Sequence, residues 1–330
     1  MKKAIFSLAA ASLMLCATAC SGSGAKATDN DTATDSVAAD TLPTVYYIKD
    51  ITPENLVKVY NALGRKATGK VGVKISTGES NKSNHLDTAL INPLVRLVNG
   101  TFIECNTAYA GNRISTEQHR KTAIEHGYLG IDIMDADGQV ELPVEDGMHL
   151  TKDIVGKNFL DYDFIVVLSH FKGHQMGGFG GALKNISIGI ASSDGKAYIH
   201  SGGKTEDHKE IWDNIAEQDT FLESMADACK AIIAHTGDNI LYINVANNLS
   251  VDCDCNGNPA KPEMNDFGIL ASLDPVALDR ACIDMVMNSD DHGKEHLIER
   301  INSRHGTHIL EAAEAHGLGK QQYNLVTITE

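Results

Sequence analysis

Hydrophobic positions along this chain alternate between two periods. Short apolar runs bounded by turn residues lie at 71–75, 101–105, 131–134, 164–168, 240–245, 267–271 and 325–328, and each predicts a strand. Between them the apolar spacing is helical. Leu56, Val59, Tyr60 and Leu63 share one face of a helix that opens at Thr52-Pro53-Glu54 and closes at Gly64. A second helix is predicted over 86–98, through or entered at Pro93. Ser115-Thr116-Glu117-Gln118 fits a capping box for a third, which Gly127 ends. Further helices are expected over 221–234, from the cap Asp274-Pro275 to Met287, and near 294–304 and 307–316. Strands separated by amphipathic helices predict an α/β fold: a mainly parallel sheet with helices on both faces, in one domain or two lobes. The sequence has no short-period repeat, Rossmann GxGxxG or Walker loop.

The first residues follow a different pattern. Lys2 and Lys3 precede an apolar run from Ala4 to Leu15, then Ala17-Thr18-Ala19 and Cys20. That order is a secretory signal, and a cysteine after small residues resembles a bacterial lipobox. Cys16 fits less well, because Leu15 before it is large. The expected organisation is a lipoprotein signal at 1–19, a flexible tether at 20–42 rich in Ser, Gly, Ala, Thr and Asp, and an α/β domain at 43–330. On this reading the protein is exported and anchored in the bacterial cell envelope by lipid on Cys20; the alternative is a secreted chain cut near Ala19.

Charge narrows the partners. With 28 Lys and Arg against 44 Asp and Glu, the formal net charge is −16. A field of that sign argues against nucleic acid and leaves a small-molecule ligand as the expected partner. Cys105, Cys229 and Cys282 lie in apolar surroundings and read as core thiols. His292, His296, His305, His308 and His316 read as members of solvated helix faces, and His235 as a helix-end residue.

The richest chemistry follows the apolar run 164–168. Ser169 to Asn185 packs His170, Lys172, His174, Lys184 and five glycines between a strand end and a short helix. Glycine permits close approach of backbone or ligand, and loops after parallel strands are where such sheets bind ligands. His174, Lys184 and His170 are the candidate catalytic groups; Lys184 with Gly178, Gly180 and Gly181 is the candidate cofactor- or anion-binding loop. His200, after an expected turn at Ser193-Asp194-Gly195, belongs to the same constellation. The segment Lys74-Ile75-Ser76-Thr77-Gly78-Glu79 ends a strand at the same edge and is expected to form a second wall.

Cys253-Asp254-Cys255 lies in an acidic, asparagine-rich loop. Thiolates one residue apart suit a soft or divalent metal, with Asp252, Asp254 or Asp266 adding oxygen. Cys253 and Cys255 are therefore candidate metal ligands, with free thiols or a C-x-C disulfide as the alternatives. Asp274 is better explained as a helix cap than as half of a carboxylate pair with Asp279.

The glycine segment from His174 to Lys184-Asn185, the run 248–255 and the run 266–279 resemble motifs of the domain-of-unknown-function family 362, whose members are often described as iron–sulfur centre proteins. The resemblance covers most of 43–290 and implies the fold more than a function. No C-x2-C-x2-C-x3-C run is present, so the ferredoxin module of many relatives is absent. His174, Phe179-Gly180-Gly181, Lys184 and His200 are also similar to a local pattern of the nickel-pincer lactate racemases, without the serine of their glycine run. That likeness implies Lys184 as a covalent cofactor attachment, His200 as a metal ligand and His174 as acid or base.

Three functions follow: an enzyme-like site, with a metal or cofactor, for a small polar or anionic substrate; a non-catalytic, lipid-anchored solute- or metal-binding protein; and iron–sulfur electron transfer. The last ranks lowest, because export as an unfolded chain conflicts with cytoplasmic cluster loading and the signal has no twin-arginine pair.

Overall fold

A computed structural model describes residues 41–329; the predicted signal and most of the tether, including Cys16 and Cys20, lie outside the described residues. Twelve strands are formed: β1 (Thr44–Ile48), β2 (Val71–Lys74), β3 (Gly100–Glu104), β4 (Asp132–Ile133), β5 (Gln139–Pro143), β6 (Lys152–Gly156), β7 (Phe164–His170), β8 (Lys172–His174), β9 (Gly178–Gly180), β10 (Ile240–Ala246), β11 (Gly268–Ser272) and β12 (Asn324–Thr327). The helices are α1 (Pro53–Ala62), α2 (Thr88–Leu97), α3 (Thr116–Glu125), α4 (Ala182–Ile186), α5 (Ser193–His200), α6 (Gln218–Thr236), α7 (Pro275–Asn288), α8 (Glu295–Ser303) and α9 (His308–Ala315).

Eight strands form one sheet in the order β12-β1-β11-β10-β7-β2-β3-β4. All its pairings are parallel except those of β11, which is antiparallel to both neighbours. One apolar layer joins α4, α6, α7 and α9 to one face, and a second joins α1 and α2 to the other. Full burial of β7 and β10 explains their unbroken apolar runs: a strand covered on both faces has no solvent side to mark with polar residues. The sheet is therefore mainly parallel and covered on both faces, as the pattern predicts, and residues 42–330 form one compact unit rather than two lobes.

Local rules account for the ends. Thr52 accepts from the Asn55 amide, Ser115 from Gln118 and Asp274 from Ala277, each satisfying an otherwise orphaned N–H. Three elements depart from expectation. β1 was not legible, because 44–48 reads as one short run beside the tether. The β5–β6 hairpin was missed because β5 is mostly exposed and carries a weak pattern. Ser193-Asp194-Gly195 is the first turn of α5, capped by Ser192, and not a free turn. His316 is nearly buried, with Nε2 at 2.6 Å from the Asp227 carboxylate, and His308 is only 19% exposed between Glu223 and Glu311, so these two are not members of a solvated face.

Asp153 in β6 is fully buried, and neither carboxylate oxygen has a hydrogen-bond partner of good geometry. Burial raises its pKa to about 8, against small offsets from the Ile154 amide and Lys196. The unfolded chain releases this proton near pH 4, so folding stability falls as pH rises from there to about 8. Asp153→Asn is expected to stabilise the fold by about 2 kcal/mol or more at pH 8 and by little at pH 4, read from urea midpoints at the two pH values.

Candidate functional site

Parallel strands carry their C-terminal ends to one edge, and here those ends are polar: Lys74 on β2, Glu104 on β3, Ser169 and His170 on β7. The chain moves outward from β2 to β3 and in the opposite direction from β7 to β10. The crevice between β2 and β7 is therefore the switch point of the sheet, where such folds place ligands.

A cavity of about 60 Å³ opens there, room for about four or five waters. Lys74, Arg113, Lys172, Lys184 and Lys196 line it, against only two carboxylates, Glu104 and Asp254. A chain of net charge −16 has thus gathered five cations around one small space.

Both carboxylates are already engaged. Glu104 accepts from Arg113 (3.0 Å), from the Thr77 amide (3.0 Å) and hydroxyl (2.6 Å), and faces His119 Nε2 (3.0 Å). Burial alone would raise its pKa; Arg113, then His119 and Lys74, hold it well below the usual carboxylate range. Asp254 accepts from Lys172 Nζ at 2.7 Å and from His170 Nδ1 at 2.8 Å. There too burial is overcome, by Lys172 first and His170 second, so the group stays ionised.

Most of the cations are tied as well. Arg113 bridges Glu104 and Glu79. Lys74 Nζ donates to the Ile75 carbonyl (2.5 Å) and to Asn185 Oδ1 (2.9 Å). Lys196 Nζ donates to the Ala191 carbonyl at 2.5 Å. Lys184 differs: among the described residues its Nζ has no hydrogen-bond or ion-pair partner. Burial, then repulsion by Lys172 and Lys74, lowers its pKa to about 7. At neutral pH much of it is a free amine, the form that attacks carbonyls.

The position of Lys184 is fixed from behind. Asp279 on α7 accepts from the Ala182 and Leu183 amides at 2.7 and 2.9 Å, and from Asn244 Nδ2 at 2.7 Å. It thereby caps α4, the short helix that carries Lys184. Gly181 is required at this joint, since a Cβ there would lie 2.3 Å from Asp279 Oδ1. Asp279→Ala strands three buried donors and is expected to cost about 2–4 kcal/mol, measured by denaturant unfolding at pH 7.

The structure sorts the sequence candidates. Lys184, Gly180 and Gly181 line the cavity, as does His170. His170 is a positioning residue: its ring nitrogens face Asp254 and the Asn247 carbonyl (2.6 Å), so neither is offered to a substrate. His174 does not line the cavity. Its Nδ1 accepts from the Gly177 amide at 2.8 Å and the Met176 amide at 3.3 Å, so the ring proton sits on Nε2. Burial, then Lys184, His200 and Lys172, push its pKa well down and keep the ring neutral. Gly178 also lies outside the cavity; with φ of 79° it packs against Gly306.

The metal candidates separate: a ring nitrogen of His174 and the sulfurs of Cys253 and Cys255 lie within 4.8 Å of one another, a group able to hold a metal ion once the two thiols are reduced, and His200 is not part of it. His200 is buried on α5, its Nδ1 2.7 Å from the Lys196 carbonyl and its ring stacked on Phe221 at 4.7 Å, and it does not reach the cavity. Cys253 and Cys255 are joined in a disulfide, which lines the cavity wall. Cys105, Cys229 and Cys282 are buried free thiols, as their apolar settings predict. An iron–sulfur cluster therefore has no set of thiolates to hold it among the described residues.

Arg113, Glu104 and Lys196 escaped the sequence reading. Glu104 ends a strand, as Lys74 does, and that signal was available; Arg113 and Lys196 sit in segments with no distinguishing pattern.

Residues 71–284 match the sequence model of a family described as Domain of unknown function (DUF362). No curated protein matches the chain. Among solved structures, the lactate racemase apoprotein from Thermoanaerobacterium thermosaccharolyticum is similar at 17% identity, covering 73% of this chain and 56% of that one with a TM-score of 0.40. A Thermotoga maritima protein is similar at 14% identity, covering 71% of this chain and 58% of that one with a TM-score of 0.39. The chain thus spans less than two thirds of either structure's length.

Proposed function

This chain belongs to the DUF362 family, and on that premise we propose that it is an enzyme-like envelope protein that takes a small anionic carbonyl compound into the cavity at the β2–β7 switch point. The observation that carries the reading is Lys184: an amine with no acid hydrogen-bonded or ion-paired to it among the described residues, beside four other cations on the cavity wall. Lys172, Lys196 and Arg113 supply the field that draws a carboxylate or similar oxyanion. Lys184, deprotonated near neutral pH, attacks the carbonyl carbon; loss of water then gives an imine at Nζ. Asp279 and Gly181 hold the amine in place. The sequence of residues 1–42 supports export and a lipid anchor at Cys20 as part of the same proposal.

Borohydride trapping tests it. Incubation with a two- to four-carbon oxo acid, followed by reduction, is expected to add the acid's mass, less one oxygen, at Lys184, with a pH optimum near 7 to 8. Thermal stabilisation by the same acids without any adduct would instead support a non-catalytic binder of small anions. Neither an adduct nor a shift in melting temperature across oxo acids, carboxylates and phosphate would remove both readings.

A further inference from the structure

The Cys253–Cys255 disulfide is not needed for the amine chemistry, yet it forms part of the same wall. Three features set it apart from a structural crosslink. It closes a ring of only three residues, so it removes little entropy from the unfolded chain. The loop is pinned without it, because Asp254, the residue between the two cysteines, is buried and bound to Lys172 and His170 while its carbonyl accepts from the Glu79 amide at 2.9 Å. Its two sulfurs also differ in access: Cys253 is buried, whereas Cys255 is partly open. A ring nitrogen of His174 lies within 4.8 Å of both sulfurs.

We propose that Cys253–Cys255 is a redox-active pair that exchanges with an external dithiol at the cavity wall, Cys255 being the sulfur attacked and Cys253 the leaving group. A thiolate of the dithiol attacks Cys255 Sγ, the Sγ–Sγ bond breaks, and its electron pair leaves on Cys253. The second thiolate of the dithiol then attacks its own sulfur in the mixed disulfide and releases Cys255. The dithiol loses two electrons and two protons; the pair gains two electrons and takes two protons from solvent. The Lys172 side chain on the same cavity wall and the His174 ring beside the two sulfurs offset the charge that develops on Cys253. Asp254 keeps both thiols in register, so the fold survives reduction and the pair can reclose.

Native reduction with dithiothreitol, an N-ethylmaleimide quench and peptide mapping test the proposal on the full chain. Cys105, Cys229 and Cys282 are the internal control for unfolding, since all three are buried. The expected result is labelling of Cys253 and Cys255 with the three buried thiols untouched, an unchanged circular dichroism spectrum, and recovery of the disulfide on removal of the reductant. Cys253→Ser is expected to form a mixed disulfide with glutathione disulfide at Cys255 at least about tenfold faster than Cys255→Ser does at Cys253. His174→Gln should slow exchange through loss of the ring beside the two sulfurs, in a variant that circular dichroism shows to be folded. Labelling that appears only together with Cys105, Cys229 and Cys282, or resistance to dithiothreitol in the folded state, overturns the proposal. The labelling readout needs no carbonyl compound and no adduct at Lys184, so its failure is distinguishable from failure of the imine reading.

Discussion

Lys184→Met is expected to abolish the borohydride-trapped adduct and, at the same time, to make the protein more stable. The sign follows from linkage. Folding lowers the Lys184 pKa from 10.5 to about 7, so between these values the unfolded chain binds more protons than the folded one. The penalty is complete below pH 7 and fades as pH rises to 10.5. Removing the amine should therefore raise unfolding free energy by about 3–5 kcal/mol at pH 7 and by little above pH 10.5. Urea unfolding at pH 7 and at the highest pH the fold tolerates checks the stability term, and mass spectrometry after borohydride checks the chemistry. A variant that loses the adduct through misfolding would lose stability instead. Equal or lower stability at pH 7 would show that Lys184 has a counter-charge in solution, and the imine reading would lose its basis.

Asp254→Ala should act in the other direction. It leaves Lys172 Nζ and His170 Nδ1 buried with no acceptor, and breaking a buried pair on one side costs about 3–5 kcal/mol. Folding depresses the Asp254 pKa below the ordinary carboxylate value, so its contribution is present at neutral pH and is lost as pH falls through the folded value. Wild type and variant should therefore differ strongly in urea midpoint at pH 7 and converge in acid. Asp254→Asn keeps the shape and one acceptor oxygen, and should cost less. Freed from its anchor, the C-x-C loop of the alanine variant should also label more readily at Cys253 after reduction.

These two residues show where sequence reading reached and where it stopped. Lys184 stood out because it follows a glycine run after a buried strand, a placement that sequence alone reveals. Its missing partner did not stand out, since the sequence offers 44 acidic residues and no rule for which of them meets it. Asp254 was visible only as one of several acids near two cysteines. Its role depends on Lys172 and His170, more than 80 residues earlier, and the contact exists because β7 and β10 are neighbours in the sheet. His200 shows a different limit. The likeness to the nickel-pincer racemases implied a metal at His200, whereas the capped helix α5 stacks its ring on Phe221.

The sequence by itself determined the alternation of strands and helices, the caps at Thr52, Ser115 and Asp274, the burial of three cysteines, and the edge at which the site lies. All of these rest on local rules: period, propensity, and backbone groups seeking the nearest acceptor. Only the tertiary structure decided which charges meet, that Glu104 and Asp254 are consumed while Lys184 is left bare, that Asp279 holds α4, and that Cys253 and Cys255 pair with each other. Those outcomes are set by side-chain distances across strands remote in sequence, and electrostatic energies at such distances change sign with burial and with the partner present.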